Sequence, residues 1–340
     1  MSDSPRPIPP IKPRHFPPPP PLVQKTPGLW RRTPPAIFSP VMGLFGLGLS
    51  WRNLALQPGM APLQPVGEAI LGAVLLLYAF ALVAWLSKPL RRPGVVIEEL
   101  AVLPGRAGTV AMVLSFILAG AALRPYAPDL AFWMAVGGMG ALALVGGLIT
   151  WRVGTGPREG RGVTPVFHLT YVGYILAPLT LVPLGYTDAS KLILWLTMPG
   201  AVLIWLASLR QLIRTIPPAP LRPFMAIHLA PASLFATVSA LLGYGTMAMI
   251  FALLALTLLV VMIVKARWLL HSGFSPLWAS LTFPMAAAAS AAILALGAPG
   301  LWIGAAILAF ATGFIPWVAF RVYTMWAKGE LGPKTNAATV

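Results

Sequence analysis

Residues 275–297 read SPLWASLTFPMAAAASAAILALG, an apolar stretch long enough to cross a lipid bilayer as a helix. Phe283 and Pro284 stand within it. Proline removes a backbone hydrogen bond and kinks a helix. In lipid, such a break is tolerated only where neighbouring groups satisfy the backbone or where it lines a cavity. Two interpretations stay open: the ring of Phe283 packs against a neighbouring helix, or it plugs a pore.

Nine other apolar runs of similar length accompany this stretch, and together they predict an all-α polytopic membrane protein with ten transmembrane helices. Numbered in chain order, runs 1 to 10 span residues 37–56, 66–87, 107–124, 128–150, 164–186, 189–210, 222–243, 245–265, 275–297 and 300–321. The spacers within the pairs 1–2, 3–4, 5–6, 7–8 and 9–10 are short, whereas those between pairs are longer. This alternation predicts five consecutive helical hairpins, each of which enters and leaves on the same side of the membrane.

The composition excludes a soluble protein. Of the 340 residues, 58% are apolar and 9% are charged, against about 25% charged residues in soluble domains. Cysteine is absent, which excludes disulfides and thiol chemistry. Residues 1–36 are basic and proline-rich, and predict a disordered cytosolic tail without a cleavable signal peptide. We therefore expect a ten-helix channel domain over residues 37–323 and a short cytosolic tail over residues 324–340.

The distribution of positive charge predicts the orientation. All but three of the 24 Lys and Arg residues fall in the tails, in the longer loops between hairpins or at the adjoining ends of the runs; the exceptions are Arg52, Arg124 and Lys191. Because basic residues mark cytoplasmic segments, we expect both termini to be cytosolic in a multi-pass protein of the cell inner (plasma) membrane. The net charge of +16 then reflects topology and does not indicate nucleic-acid binding.

The acidic residues bear on function because none of the eight lies deep inside a run. Ionisable groups within a membrane mark proton relays and ion-coupling sites, so their scarcity counts against a pump or a carboxylate-based symporter. The sequence also offers no nucleophile–base or metal-ligand constellation. We therefore predict that the chain is not an enzyme and uses no cofactor and no metal.

Two histidines, His168 and His228, lie near the cytosolic ends of runs 5 and 7. The simpler interpretation makes each an interfacial side chain bonded to backbone or water. The alternative places both at the cytosolic mouth of a shared pathway, where protonation would tune anion entry. Without an acidic companion they make a poor metal site.

Prolines are more frequent in the odd-numbered runs. Beyond the first two residues of each run, the odd-numbered runs hold Pro40, Pro178, Pro183, Pro231 and Pro284, whereas the even-numbered runs hold Pro199 and Pro316. The bias fits an inner ring of kinked odd helices around a cavity, with the even helices facing lipid.

Four segments, in order along the chain, resemble one family. They are TPPAIFSPVMGLFGLGLSW at 33–51, TPVF at 164–167, PFMAIHLAPA at 223–232 and LWASLTFPMA at 277–286. Together they resemble the tellurite-resistance/dicarboxylate transporter family, which includes bacterial tellurite-resistance protein A and the slow anion channels of plant guard cells. The resemblance covers runs 1 to 10 and leaves out the N-terminal tail.

The resemblance implies a homotrimer in which each subunit has its own pore. The five odd helices would line that pore, kinked by Pro40, Pro178, Pro231 and Pro284, and a phenylalanine of run 9 would close it. In this sequence that position falls on Phe283. Run 3 holds no proline within residues 107–124, so the sequence gives no basis for a kink there.

The function implied is a gated channel or facilitative transporter for small anions, with the lipid bilayer as its surroundings. A pore without acidic groups and with basic residues at its cytosolic mouth would attract anions without binding them tightly. The alternative is a secondary carrier or exporter of C4-dicarboxylates such as malate, or of sulfite. Saturable flux that follows a pH gradient would favour the carrier, and voltage-driven current would favour the channel.

Overall fold

A computed structural model describes residues 28–339, and within that range the chain is entirely helical, with no strand. The greater part of the predicted tail, residues 1–27, lies outside the described range. Eight helices in the described range are long and apolar enough to cross a membrane. The all-helical, multi-pass prediction is therefore confirmed at that level.

The even-numbered runs form continuous helices, and most odd-numbered runs change helix type along their length. The even runs are Gln64–Leu86, Pro128–Thr155, Thr187–Arg214, Gly245–Val264 and Gly297–Ala327. Runs 1 and 3 hold the helices Phe38–Ala55 and Leu103–Leu123. In runs 7 and 9, the 3-10 segments Ala219–His228 and Pro276–Leu281 lead into the α-helices Leu229–Leu241 and Thr282–Ala295.

Runs 1 and 5 are not among the eight candidate spans. The helix of run 1 ends in polar residues, including Arg52 and Asn53, which lower its mean hydropathy. Run 5 is broken into three pieces: a π-helical turn at His168–Val172, a 3-10 turn at Gly173–Leu176 and a short α-helix at Pro178–Leu181. None of these pieces is long enough to count as a span.

Burial divides the helices into an inner and an outer set. In the most apolar stretch of the spans of runs 3, 7 and 9, 78% of the residues are buried, whereas the corresponding share in the even-numbered spans is 22–33%. The even helices therefore expose most of their apolar side chains, as a lipid-facing layer requires. The odd runs form the interior of the bundle.

Small residues let the inner helices approach closely. A β-carbon at Gly43 would lie 2.1 Å from the Oγ1 atom of Thr282, so only glycine fits between runs 1 and 9 at that level. A β-carbon at Gly108 in run 3 would likewise overlap the backbone of Pro35. On the far side of the same interface, Ser50 donates a hydrogen bond to the carbonyl of Ala286 at 2.7 Å.

A buried polar cluster fixes the chain where it enters the bundle. The Lys88 ammonium donates to the Thr33 carbonyl at 3.0 Å and pairs with the Glu99 carboxylate, both side chains being fully buried. The Trp85 indole donates to the same carboxylate at 3.0 Å, and the Trp326 indole donates to the Thr33 hydroxyl at 3.1 Å. Residues 28–36, assigned above to the tail, are therefore folded against the bundle.

The chain's last residues are folded too. The helix of run 10 continues to Ala327, and a further short helix, Leu331–Lys334, buries Leu331 completely. Arg92, in the loop after run 2, donates a hydrogen bond to the carbonyl of Thr339 at 2.9 Å. Both ends of the described chain thus pack on the face that the basic residues assign to the cytosol.

Candidate functional site

Two cavities lie in the interior, and all five odd-numbered runs line each of them. The larger, of about 40 Å³, is lined near the beginnings of the runs by residues such as Ser39, Ala107, Leu169, Ile227 and Leu277. The beginnings of the odd runs face the cytosol in the predicted orientation, so this cavity lies toward the cytosolic side. It has room for water molecules.

The smaller cavity, of about 10 Å³, lies further along the same runs. Its lining includes Leu114 of run 3, His168 and Leu176 of run 5, and Leu234 of run 7. A cavity needs roughly 10–15 Å³ to hold one water molecule, so this space is too small for an ion with its hydration shell. The interior is closed at this level.

Phe283 lines both cavities and is 5% exposed. Its ring packs on run 1 at Gly46, where a β-carbon would lie 3.0 Å from the Cδ2 atom of the ring. Met42, Leu169 and Ala230 also line both cavities. Phe283 is the largest of these shared lining side chains, and it lies at the junction of the two cavities.

Four prolines of the odd-numbered runs lie in the first turn of an α-helix, a position that the sequence alone did not indicate. Pro40, Pro231 and Pro284 are each the third residue of an α-helix that follows a 3-10 turn, and Pro178 is the first residue of its helix. In the first turn of a helix the backbone N–H has no intrahelical partner, so proline costs no hydrogen bond there. The odd runs therefore change helix type near these prolines and contain no mid-helix break at them.

Run 3 follows the same rule, which corrects the expectation that it lacks a proline. Its helix begins at Leu103, ahead of the predicted start at residue 107, and Pro104 is its second residue. Pro104 also lines the larger cavity. The hydropathy boundary was placed too late because Arg106 interrupts the apolar pattern.

The two histidines lie in contact. His168 and His228 are joined by a hydrogen bond of 2.9 Å between Nε2 of His168 and Nδ1 of His228. Trp205 of run 6 holds the pair: its ring packs 5.4 Å from that of His168, and its indole donates to the His228 carbonyl at 3.1 Å. They are 60 residues apart, and no spacing rule in the sequence predicts that they meet.

The walls of both cavities are mostly apolar, with Ser39 and Ser280 in the larger and His168 in the smaller, and no charged side chain of the described residues lines either of them. Two basic residues near the cytosolic ends of the odd runs are held by backbone carbonyls. Arg106 donates to Leu100 at 2.9 Å, and Arg222 donates to Pro217 at 3.1 Å. The positive charges of Arg106 and Arg222 are therefore held in place near the beginnings of the odd runs, and among the described residues none lies in the cavity walls.

A second polar network, on the opposite face, was not anticipated from the sequence. Arg52, 7% exposed, pairs with Glu68 at 2.7 Å and donates to the carbonyls of Ala121 and Ala122 at the end of run 3. Tyr126 donates to the same carboxylate at 2.9 Å. A buried arginine thus joins the ends of runs 1, 2 and 3.

Within the described range, no three His, Cys, Asp or Glu side chains are grouped closely enough to hold a metal ion. The family model described as SLAC1, voltage-dependent anion channel, matches residues 32–324, which is most of the chain and includes every run. No curated protein matches the chain.

Proposed function

The chain belongs to the SLAC1 voltage-dependent anion channel family, and from this membership we propose that it forms a gated pathway for small anions, lined by the odd-numbered runs and closed by Phe283. Membership makes the chain a multi-pass membrane channel or transporter and not an enzyme. The observation that carries the proposal is the position of Phe283 in the wall of two cavities that all five odd runs line.

Closure by Phe283 is supported by the size and polarity of its surroundings. The cavity beyond the ring holds about 10 Å³ and is apolar except for His168. A narrow apolar constriction excludes water, and an ion that must lose its hydration shell there meets a high barrier. Movement of one ring away from Gly46 would join the two cavities and lower that barrier.

Anion preference is supported by the arrangement of charge. No carboxylate lines either cavity, and basic residues such as Arg106 and Arg222 lie near the cytosolic ends of the odd runs. A positive field around the entrance raises the local anion concentration. Weak sites inside then let the ion leave, which conduction requires.

The proposal also covers the number of membrane crossings and the oligomeric state. Runs 1 and 5 are proposed to cross the membrane as well, which makes ten crossings with both termini in the cytosol. Neither the low hydropathy of run 1 nor the broken helix of run 5 counts against this, because both runs are largely buried inside the bundle and contact lipid little. We further expect a homotrimer in the cell inner membrane, with one pathway in each subunit.

The direct test replaces the ring. Phe283→Ala, reconstituted in a planar bilayer with chloride or nitrate, should raise the anion conductance at least about tenfold, which corresponds to about 1.4 kcal/mol of barrier. The matched control is Phe235→Ala. Phe235 is fully buried in run 7 and packs against Trp205 and Phe251, but it lines neither cavity. The Phe235→Ala variant should have a lower stability than the wild type and an unchanged anion conductance.

Equal currents from the wild type and Phe283→Ala, at matched expression and oligomeric state, would refute the closure by Phe283. Reversal potentials measured with chloride, nitrate, sulfite and malate would then rank the anions. Flux that saturates and follows an imposed pH gradient would assign the chain to the carrier alternative for dicarboxylates or sulfite.

A further inference from the structure

The His168–His228 pair has an unusual arrangement of nitrogens. The bond between Nε2 of His168 and Nδ1 of His228 needs one N–H and one lone pair, so the two rings cannot both be fully protonated while it persists. The two remaining nitrogens, Nδ1 of His168 and Nε2 of His228, are buried and have no partner within the described residues. One hydrogen lies in the bridge and a second lies on the outer nitrogen of the accepting ring, so the outer nitrogen of the donating ring keeps a lone pair that is open to a proton.

The two rings face different spaces. His168 lines the smaller interior cavity together with Phe283. His228 lines a groove of about 770 Å³ between runs 6 and 8, with apolar walls and Lys265 at one end. The hydrogen bond therefore connects the proposed anion pathway with a groove on the outer side of the inner ring.

The charged groups around the pair are all basic. Lys265 of run 8 lines the groove beside His228, and Arg222 lies against Trp268, another residue of that groove. On the other side, the linings from runs 1, 3 and 9 at the smaller cavity contain no ionisable residue. Among the described residues no carboxylate lines either space, so these linings supply no counter-charge for an imidazolium.

A buried cation without a counter-charge is unfavourable. An anion that enters the space beside Phe283 when the ring moves away would supply the missing negative charge and so favour protonation of the pair. By reciprocity, a proton on the pair would strengthen anion binding by the same factor.

We infer that His168 and His228 form a single proton-binding site whose occupancy is coupled to a small anion in the cavity beside Phe283. The inference rests on the proposed anion pathway and adds a second ligand to it, the proton. The pair gains one proton when an anion enters and loses it when the anion leaves, so no oxidant or other reactant is required.

The first test measures anion flux into liposomes that hold the purified protein, at fixed voltage, from about pH 8 down to about pH 4, a range wide enough to include a buried histidine. Nitrate flux through the wild type should rise at least about fivefold toward low pH. His168→Asn and His228→Asn should each flatten that dependence. His271→Asn, at an exposed position in the loop between runs 8 and 9, should keep it.

The second test uses the wild-type protein and does not measure flux, so a variant that fails to fold cannot affect its outcome. The chain has only four histidines, so selective ¹⁵N-histidine labelling gives few NMR signals to follow in nanodiscs. The signals assigned to the pair should titrate about one pH unit higher in nitrate than in gluconate, a tenfold coupling.

The outcomes separate the inference from the proposed function. An absence of anion flux at every pH would refute the proposed pathway. Anion flux whose pH dependence is the same in both pair variants, or histidine titrations that do not respond to nitrate, would refute the proton site and leave the pathway intact.

Discussion

The ring of Phe283 rests on the backbone of Gly46: a β-carbon on Gly46 would lie 3.0 Å from Cδ2 and 3.3 Å from Cε2 of the ring. Run 1 thus leaves space for the ring by having no side chain at that position. The nearest methyl group of run 9, that of Ala286, lies 3.2 Å from the same point. The position of the ring at the junction of the cavities therefore depends on a glycine in another helix.

Gly46→Ala should displace the ring and open the pathway in part. The added methyl group would contact both Phe283 and Ala286, and such overpacking typically costs about 1–3 kcal/mol. We expect a higher basal conductance than in the wild type, smaller than in Phe283→Ala, together with a lower thermal stability. Planar-bilayer currents and thermal unfolding in detergent measure the two effects.

Gly72→Ala is the matched control, because a β-carbon at Gly72 in run 2 meets no atom within 4 Å. That variant should conduct like the wild type. If Gly46→Ala leaves the conductance unchanged while Phe283→Ala raises it, contact with Gly46 does not hold the ring in place.

Pro284→Ala should change stability little and conductance more. Pro284 lies in the first turn of Thr282–Ala295, where no intrahelical hydrogen bond is lost. Replacement therefore shifts the unfolding free energy by about 1 kcal/mol or less. It also allows the α-helix to extend toward residues 276–281, which would rotate Phe283 and alter the current.

Pro199→Ala serves as the comparison, because Pro199 lies inside the long helix of run 6 at an exposed position. Removal of an interior proline should stabilise that helix without changing conductance. A large loss of stability in Pro284→Ala would contradict the first-turn assignment and favour a mid-helix kink.

Lys88→Met should destabilise the fold, since it leaves the Glu99 carboxylate buried without its cation. Loss of one partner of a buried ion pair typically costs about 3–5 kcal/mol. The double variant Lys88→Met/Glu99→Leu removes both charges and should recover most of that loss. Thermal unfolding of the wild type, the single variant and the double variant measures the coupling; equal stabilities of the two variants would contradict it.

The loss in Lys88→Met should also depend on pH. Burial already raises the pKa of Glu99 in the wild type, and removal of the Lys88 charge raises it further. A carboxyl whose pKa is raised on folding lowers stability only above its unfolded pKa of about 4.3. The stability deficit should therefore shrink as the pH falls toward that value and grow as it rises. A deficit that does not vary with pH would show that Glu99 is not the cause.

Much of the architecture follows from local patterns in the sequence. Apolar runs about 20 residues long must be helices in lipid, because every backbone group has to be satisfied within the segment. The placement of Lys and Arg predicts which loops face the cytosol. Those two regularities predicted the helical class, the hairpins and the longer inner loops, such as residues 87–102 between runs 2 and 3.

Local patterns did not predict where helices change type. Prolines were expected to kink the odd runs, yet Pro40, Pro231 and Pro284 stand where a 3-10 turn becomes an α-helix. The broken form of run 5 was not anticipated either. Helix type depends on how neighbouring helices pack and satisfy the backbone, and hydropathy contains no information about that.

The amino-acid order of this chain specifies ten apolar runs, their charge asymmetry and an aromatic ring beside a proline in run 9, since each of these is a property of neighbouring residues. Contacts between distant residues arise only on folding: Phe283 on Gly46, His168 on His228, and Lys88 on Glu99. Pairs so far apart meet because the inner helices pack side by side, and packing depends on the shapes of all the side chains together. For that reason the candidate pathway is distributed over five runs and has no single motif.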